Sequence, residues 1–458
     1  MNAADPALVR AVELARDYLD SLPNRPVWPR ESYAEAVDRV RRPMPDEPAD
    51  PETVVDELAA WVEPGLTATP GGRFYGFVIG GAVPAALAAD WLTSAWDQNA
   101  GLLSVAPAAA AAETIAAEWL LDVLDLPRVS TVGYVTGGTM ANYTCLAVAR
   151  HAVLERVGWD VNRSGLTGAP PIRVVVGGDR HGSVDLAVRY LGLGTDAIVP
   201  VASDDQGRID PDALAAELAR GDGPAIVCLQ AGEVHTGAFD PFPAAIATAH
   251  DAGAWVHVDG AFGLWARAAE ETRPLVDGVD GADSWATDAH KTLNVPYDCG
   301  IAIVRDREAH LATFGSRAAY LMGSETPEPS DTVPELSRRA RGFTVWAALR
   351  SLGRRGVADL VLTLRERAAQ MADGIRAIPG AEVLNDVVFT QVVVAFGDDE
   401  TTAEVGRRLL ADGSAAVTPS QWRGRAVQRI SLSNWSTTKA DVDQTVAALG
   451  RIAADVRG

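Results

Sequence analysis

Between residues 130 and 305 the chain alternates two hydrophobic patterns. Short, nearly continuous apolar runs recur: "VGYV" (132–135), "IRVVVG" (172–177), "AIVPVA" (197–202), "PAIVCLQ" (224–230), "AWVHVD" (254–259), "DSWAT" (283–287) and "GIAIVR" (300–305). Longer stretches with helical spacing lie between several of them, over 138–157, 182–192, 211–220 and 243–252. A strand without polar alternation has both faces covered, and such strands alternating with helices build a largely parallel sheet. The pattern predicts an α/β domain whose mostly parallel seven-stranded sheet lies between helices.

The flanking regions read differently. Residues 1–85 are proline-rich ("SLPNRPVWPRES", "RRPMPDEPADPE") with short helical stretches between, which predicts an N-terminal arm that wraps another surface. Residues 86–335 carry the sheet. Residues 336–458 predict a smaller C-terminal α/β domain: a long helix over 343–376, strands in "VVFTQVVVAF", "AVTPS" and "AVQRISLSN", and helices near 402–412 and 438–455. The segment "MGSETPEPSDTVPE" (322–335) has the composition of a mobile loop.

Charge and cysteine usage narrow the function classes. With a net charge of −21 over 458 residues, the chain lacks the basic surface that nucleic acid or an anionic membrane requires, so neither is an expected partner. Cys145, Cys228 and Cys299 are widely spaced with no CxxC pair, which suits reduced thiols in the cytoplasm and not a disulfide framework or a zinc site. The start "MNAADPALVRAVELARDYLD" has no basic segment followed by an apolar run, so no secretory leader is expected. Glu113 and Glu118 interrupt the alanine-rich run "APAAAAAETIAAEWLLDVL", which reads as a helix of a globular protein and not a membrane span.

Three stretches carry residue types suited to chemistry. In "VTGGTMANYTCLAVAR" a strand ends at Val135, glycines follow, then Thr139, and a helix begins. Glycine lets the backbone approach a ligand, and the free N–H groups of a helix start attract an anion. Gly138 and Thr139 thus suggest a phosphate cup, although a glycine-rich turn with an ordinary threonine cap has the same appearance. In "AWVHVDGAFG", Asp259 ends an apolar strand, where open α/β sheets place their ligands; it could also simply cap the turn "DGAFG". His257 and Asp259 share a strand face, but no third residue at a convincing spacing completes a metal site, and none is expected.

The third stretch is "SWATDAHKTLNVPYDCG", which holds Lys291. Of 40 basic residues, only Lys291 and Lys439 are lysines. Arginine cannot form an imine, and lysine can. A lysine kept at a strand end in such a chain suggests a Schiff base, whereas Lys439 suits an exposed helix start. Together the three stretches meet the needs of pyridoxal 5′-phosphate: a cup for the phosphate, a carboxylate for the pyridine nitrogen and an amine for the aldehyde. His181, in "GGDRHGSVDLAVRYLG", follows another strand and could stack on the ring.

The ordered set of "EPGLTATPGGRFYGF", "TGGTMANYT", "DRHGSVDLA", "TGAFDP", "HVDGAFG", "DAHKTLNVPYDCG" and "RRARGFTVWAALRSLG" resembles the group II pyridoxal-phosphate-dependent amino-acid decarboxylases over nearly the whole chain. These include the glutamate and aromatic amino-acid decarboxylases, and they have the aspartate-aminotransferase fold, fold type I. The resemblance implies decarboxylation of an L-amino acid to its amine through a Schiff base on Lys291, with His290 beside it. Asp259 would pair with the pyridinium nitrogen, Ala261 would pack beneath the ring, and His181 would stack on its other face. Gly138 and Thr139 would bind the phosphate, helped by Asp288. Family members often have asparagine there, and an aspartate would orient the loop or accept a hydrogen bond from a protein group. Phe77, Val78 and Gly80 would line the substrate pocket, in a homodimer with active sites at its interface.

One departure stands out. The aromatic enzymes of this family carry a tyrosine on a mobile loop that helps protonate the substrate carbon. The corresponding region here, Met322 to Arg338, has none, and Tyr320 matches a different family position. His181 is then the candidate acid. Carbon–carbon lyase (aldolase-type), aminotransferase or aldehyde-forming chemistry with the same cofactor is the alternative. Arg429 is a candidate for a substrate carboxylate or a structural contact.

Overall fold

The computed structural model describes residues 5–221, 223–315 and 326–458. Tyr320 and residues 322–325 of the proline-containing loop lie outside the described residues. Two compact units are distinguished: Gly80–Ala369 with Asn385–Val392, and Met1–Ile79 with Gln370–Leu384 and Val393–Gly458.

The first unit is built on a seven-stranded sheet of β1 (Thr131–Val135), β2 (Arg173–Gly177), β3 (Ile198–Val201), β4 (Ala225–Gln230), β5 (Trp255–Asp259), β6 (Ser284–Asp288) and β7 (Gly300–Val304). The spatial order is β1-β7-β6-β5-β4-β2-β3. Pairs from β3 through β6 are parallel, and β7 runs antiparallel to both β6 and β1. β1 therefore points the same way as β6, and the C-terminal ends of β1, β4, β5 and β6 share one edge. The seven strands follow the seven apolar runs. β4, β5, β6 and β7 are buried at every position, the reason their sequence lacks alternation. Strand direction was not readable from the runs, because a strand covered on both faces looks alike either way round.

The helix Gly138–Glu155 follows β1 and packs across β5, β6 and β7. It is buried along most of its length, from Ala141 to Leu154, so its sequence shows little polar face. Leu146, Val148 and Val153 join a core with Val174, Val176, Ile226 and Trp255. A helix held by that much apolar contact makes a rigid support for whatever sits at its first turn.

The stretch after β7 is pinned to this sheet. His310, on the helix Arg307–Phe314, is fully buried. Its Nε2 lies 2.9 Å from the Thr332 carbonyl, which can only accept, so that nitrogen carries the proton. Its Nδ1 accepts from the Thr131 hydroxyl at 2.6 Å. Burial pushes the imidazole down to about 4 from its ordinary 6.5. The unfolded chain thus takes up this proton first as the pH falls. The stability contributed is complete above pH 6.5 and is lost on the way to 4. In denaturant titrations, the wild type should lose its advantage over His310→Asn by about 1.4 kcal/mol per pH unit between pH 6 and 5. A pH-independent difference would contradict the buried neutral imidazole.

The second unit carries a four-stranded sheet of β8 (Ala381–Val383), β9 (Gln391–Phe396), β10 (Thr418–Trp422) and β11 (Arg425–Ser431), in the order β10-β11-β9-β8. Its neighbouring pairs β8–β9 and β10–β11 are antiparallel. The short strand β8 was not foreseen, since three residues carry too little pattern. The helices Asp399–Asp412 and Lys439–Arg457 lie close to those expected, each starting at an oxygen cap, Asp398 and Thr438. The helices Asp5–Ser21, Tyr33–Val40 and Pro51–Val62 belong to this unit. The long helix Gly342–Arg376 is interrupted at Gly353, whose φ of 62° breaks the helical backbone. Among the described residues no helix is long and apolar enough to cross a membrane.

Candidate active site

Strand register brings the candidate residues together. Gly300 of β7 pairs with Val135 of β1 on one side and with Asp288 of β6 on the other. The turn Thr136–Thr139 therefore passes over Gly300 and arrives above Asp288. Only glycine permits this crossing, because a Cβ at position 300 would lie 2.5 Å from the Gly137 Cα. Gly137, in extended backbone, leaves the start of the Gly138–Glu155 helix without a side-chain cap. Its first N–H groups have no intrahelical partner and face an open cavity.

That cavity, of ≈ 330 Å³, is lined by Gly138, Thr139, His181, Ala261, Asp288, His290 and Lys291, with Thr136, Gly137, Met140 and Ser183. Seven residues singled out from the sequence thus share one space. Lys291 Nζ stands 2.9 Å from Asp288 Oδ2, and the Lys291 side chain is 18% exposed against 0% for Asp288. This is an ion pair off hydrogen-bond alignment, since neither Asp288 oxygen receives a hydrogen bond. The expected acceptance from a protein group is thus replaced by an ion pair. Gly80 packs against the same segment, and a Cβ there would lie 2.2 Å from the Lys291 carbonyl oxygen.

His290 stacks on Tyr297 with ring centroids 4.2 Å apart. Its Nδ1 accepts the Cys299 N–H at 3.1 Å, which leaves the proton of the neutral ring on Nε2. Burial lowers its affinity for a second proton, and the Lys291 ammonium adds to this against the pull of Asp288. His181 caps the helix Gly182–Tyr190 and sits exposed at the cavity mouth. Its Nδ1 accepts the Ser183 N–H at 3.2 Å, so in the neutral ring Nε2 carries the proton.

Asp259 lies just behind the cavity wall, at the end of β5 and almost fully buried. Two donors hold its carboxylate, Asn142 Nδ2 at 2.9 Å and the Ala261 N–H at 3.2 Å, while the Ser183 hydroxyl, 3.4 Å away, has a nearer acceptor in His181 Nδ1 at 2.8 Å. A carboxylate only accepts, so the Asn142 amide nitrogen must face it and the amide oxygen must face His257 Nε2, 2.9 Å away. His257 Nε2 therefore donates, and Nδ1 accepts from the Ser284 hydroxyl at 3.0 Å, which itself receives the Trp255 indole N–H at 3.0 Å. Burial lowers His257 to about 4, which keeps the ring neutral. The result is a one-way chain of donors, Trp255 to Ser284 to His257 to Asn142, ending on Asp259. His257 was weighed only as a metal ligand from sequence, and its place in this chain answers that reading. Asn142 and Ser183 were missed. The signals were there: Asn142 lies one turn inside the helix that starts at Gly138, and Ser183 lies two residues past the cap at His181.

Phe77 and Val78 belong to the other unit. Both have left-handed backbone, φ 56° and 57°, a conformation costly for a β-branched valine. Arg429 also lies in that unit, on β11.

A family description, the pyridoxal-dependent decarboxylase conserved domain, matches residues 35–396. The chain belongs to this family. It is a pyridoxal-dependent enzyme of the carboxy-lyase class, and pyridoxal 5′-phosphate is its cofactor. Among curated relatives, the chain is 26% identical over 477 residues to an aromatic-L-amino-acid decarboxylase of Bacillus atrophaeus, covering 98% of this chain and 95% of the relative. It is 30% identical over 395 residues to an L-2,4-diaminobutyrate decarboxylase of Rhizobium meliloti, covering 82% and 76%. The crystal structure of Oryza sativa TDC with PLP and tryptamine superposes with a TM-score of 0.93 at 24% identity, over 100% and 99% of the two chains, which establishes the shared fold.

The cavity suits the family's cofactor. An uncapped helix start faces one end, a half-buried lysine amine stands within, and an acceptor-only carboxylate with two fixed donors lies at a strand end behind it. One feature runs against an anion: the buried, donor-free carboxylate of Asp288.

Proposed function

We propose that this decarboxylase removes the α-carboxylate of an L-amino acid in the cavity at the edge of the seven-stranded sheet, with Lys291 as the residue that carries the cofactor. The observation that supports this best is the shared cavity itself: a helix start, His181 and Lys291 on one wall or another, with Asp259 directly behind Ser183 and Ala261. Pyridoxal 5′-phosphate, when bound, supplies an aldehyde that condenses with amines and a ring that accepts electrons.

The chain's residues then divide the remaining work. The N–H groups at Gly138 and Thr139 would hold the phosphate. Asp259, kept in one orientation by Asn142 and the Ala261 N–H, would hold a proton on the cofactor's ring nitrogen. Ala261 and His181, both lining the cavity, would pack against the ring. His181 Nε2, at the cavity mouth, is the atom suited to return a proton to the substrate carbon, in a chain whose 322–338 segment has no tyrosine. His290 packs beside Lys291. Gly80, packed on the Lys291 segment, is candidate lining for the substrate side chain; in the other unit, the left-handed backbone of Phe77 and Val78 supports a functional constraint on that segment.

We also infer a homodimer in the cytoplasm. Exposed Trp91, Leu92, Trp96 and Trp346 in the sheet-bearing unit, and Leu8, Val9 and Leu58 in the other, are apolar surface of the kind subunit contacts cover. Three free, buried thiols suit a reducing compartment.

The test is a panel of acidic, aromatic and aliphatic L-amino acids with the loaded enzyme. Carbon dioxide and the matching amine should appear in equal amounts from one class. Aldehyde or keto acid without amine would transfer the protein to the lyase, aminotransferase or aldehyde-forming alternative, and no turnover on the whole panel would defeat the proposal.

A further inference from the structure

We infer that Asp288 works against retention of the cofactor's phosphate, so that the protein loads pyridoxal 5′-phosphate reversibly. This rests on the cofactor reading above and concerns a residue whose charge that reading does not explain. Asp288 ends β6, level with Gly300 and Val135, directly under the turn that forms the phosphate cup. A Cβ on Gly138 would lie 2.7 Å from Asp288 Oδ2, and one on Gly137 would lie 3.7 Å from Oδ1. The carboxylate therefore borders the volume that an anion at this helix start must use.

Among the described residues, no group hydrogen-bonds it or stands ready to neutralise it once Lys291 is engaged. Its side chain is 0% exposed, and no hydrogen bond reaches either oxygen. His290 Nε2 is 3.5 Å from Oδ1, beyond hydrogen-bond range for a neutral ring. The next charges outward, Arg341 and Asp298, pair with each other at 2.9 Å. Lys291 at 2.9 Å is the single cation lining the cavity among the described residues, and the cavity has no arginine. The pairing of that ammonium with Asp288 is lost when the amine is used to hold the cofactor. A resident negative charge, itself shut off from water, then faces a phosphate carrying close to two, and charge repulsion outweighs a neutral hydrogen bond. Asp288 opposes loading a second way, because its ion pair must break before the Lys291 amine is free. Occupancy then follows the free concentration of cofactor.

The experiment is equilibrium dialysis of the full-length protein, stripped of cofactor, against pyridoxal 5′-phosphate and separately against phosphate-free pyridoxal. Asp288→Asn keeps the shape and removes the charge, and Asp288→Ser removes the charge with a smaller group in case the amide folds poorly. Both should bind pyridoxal 5′-phosphate about tenfold more tightly than wild type, equivalent to about 1.4 kcal/mol. Their affinity for pyridoxal should rise clearly less. Inorganic phosphate should compete at lower concentration in the variants. Unchanged or weaker binding of pyridoxal 5′-phosphate would overturn the inference, as it would if Asp288 ordered the cup as a hydrogen-bond acceptor. An equal gain for both ligands would overturn the phosphate argument and leave the ion pair alone responsible. Failure of wild type and variants alike to bind pyridoxal 5′-phosphate would instead overturn the cofactor reading, and this inference with it.

Discussion

Lys291→Arg should abolish turnover, by on the order of 10³-fold or more, while the protein stays folded. The guanidinium keeps the positive charge beside Asp288, where Lys291 now makes its 2.9 Å ion pair, so the buried carboxylate is not left alone. What arginine cannot do is shed its proton and condense with an aldehyde. Charge and chemistry thus separate in one substitution, which few positions allow. The readout need not be activity. Borohydride treatment of the loaded wild type followed by peptide mapping should find the pyridoxyl group on the peptide containing Lys291, and nothing on Lys439, which lies exposed at a helix start and pairs with Asp443 at 3.2 Å. A modified Lys439, or an active Lys291→Arg protein, would remove the proposed role from Lys291.

Asp259→Asn should lower kcat/KM by about 10²–10³-fold, the usual cost of losing a charge aimed at the reacting group. It should also cost about 1–3 kcal/mol in stability. The carboxylate now accepts from Asn142 and the Ala261 N–H. An amide would turn a donor toward one of these donors or force Asn142 to flip, and a flip sets two donors, Asn142 Nδ2 and His257 Nε2, against each other unless His257 changes tautomer. The disturbance therefore runs back to Ser284 and Trp255. Bound-cofactor absorbance measured beside the kinetics separates loss of binding from loss of chemistry. A change of only a few fold in kcat/KM would mean that Asp259 is a structural cap, as the turn "DGAFG" by itself permits.

The sheet was legible because its physics is local to each strand. A run such as "AIVCLQ" is apolar throughout because both of its faces are covered, and the chain repeats such runs seven times with helices between. Lys291 was legible for a chemical reason: imine formation is work that arginine cannot do. Gly138 and Thr139 were legible as a glycine turn into a helix. In each case the reason a residue type was needed lies within a few positions of the residue.

Other features had no such signature. Asn142, Ser183 and His257 are separated along the chain, and only packing of the Gly138–Glu155 helix on β5 joins them to Asp259. Each alone looks like an ordinary helix or strand residue. The direction of the donor chain depends on Asp259 being acceptor-only, a constraint that exists only once the four groups touch. Likewise the antiparallel β7 sets Gly300 between Val135 and Asp288 and lets the Gly137–Gly138 turn cross to β6, through a β1–β7 pairing of residues 165 positions apart.

By itself, then, the sequence determined the fold class, the family and the residue types able to do the chemistry, because burial, turn conformation and nucleophile identity are written in short stretches. Tertiary structure alone decided which groups meet: the donor chain behind Asp259, and the Asp288 carboxylate under the Gly137–Gly138 turn. Those depend on strand register and helix packing, where distance along the chain bears no relation to distance in space.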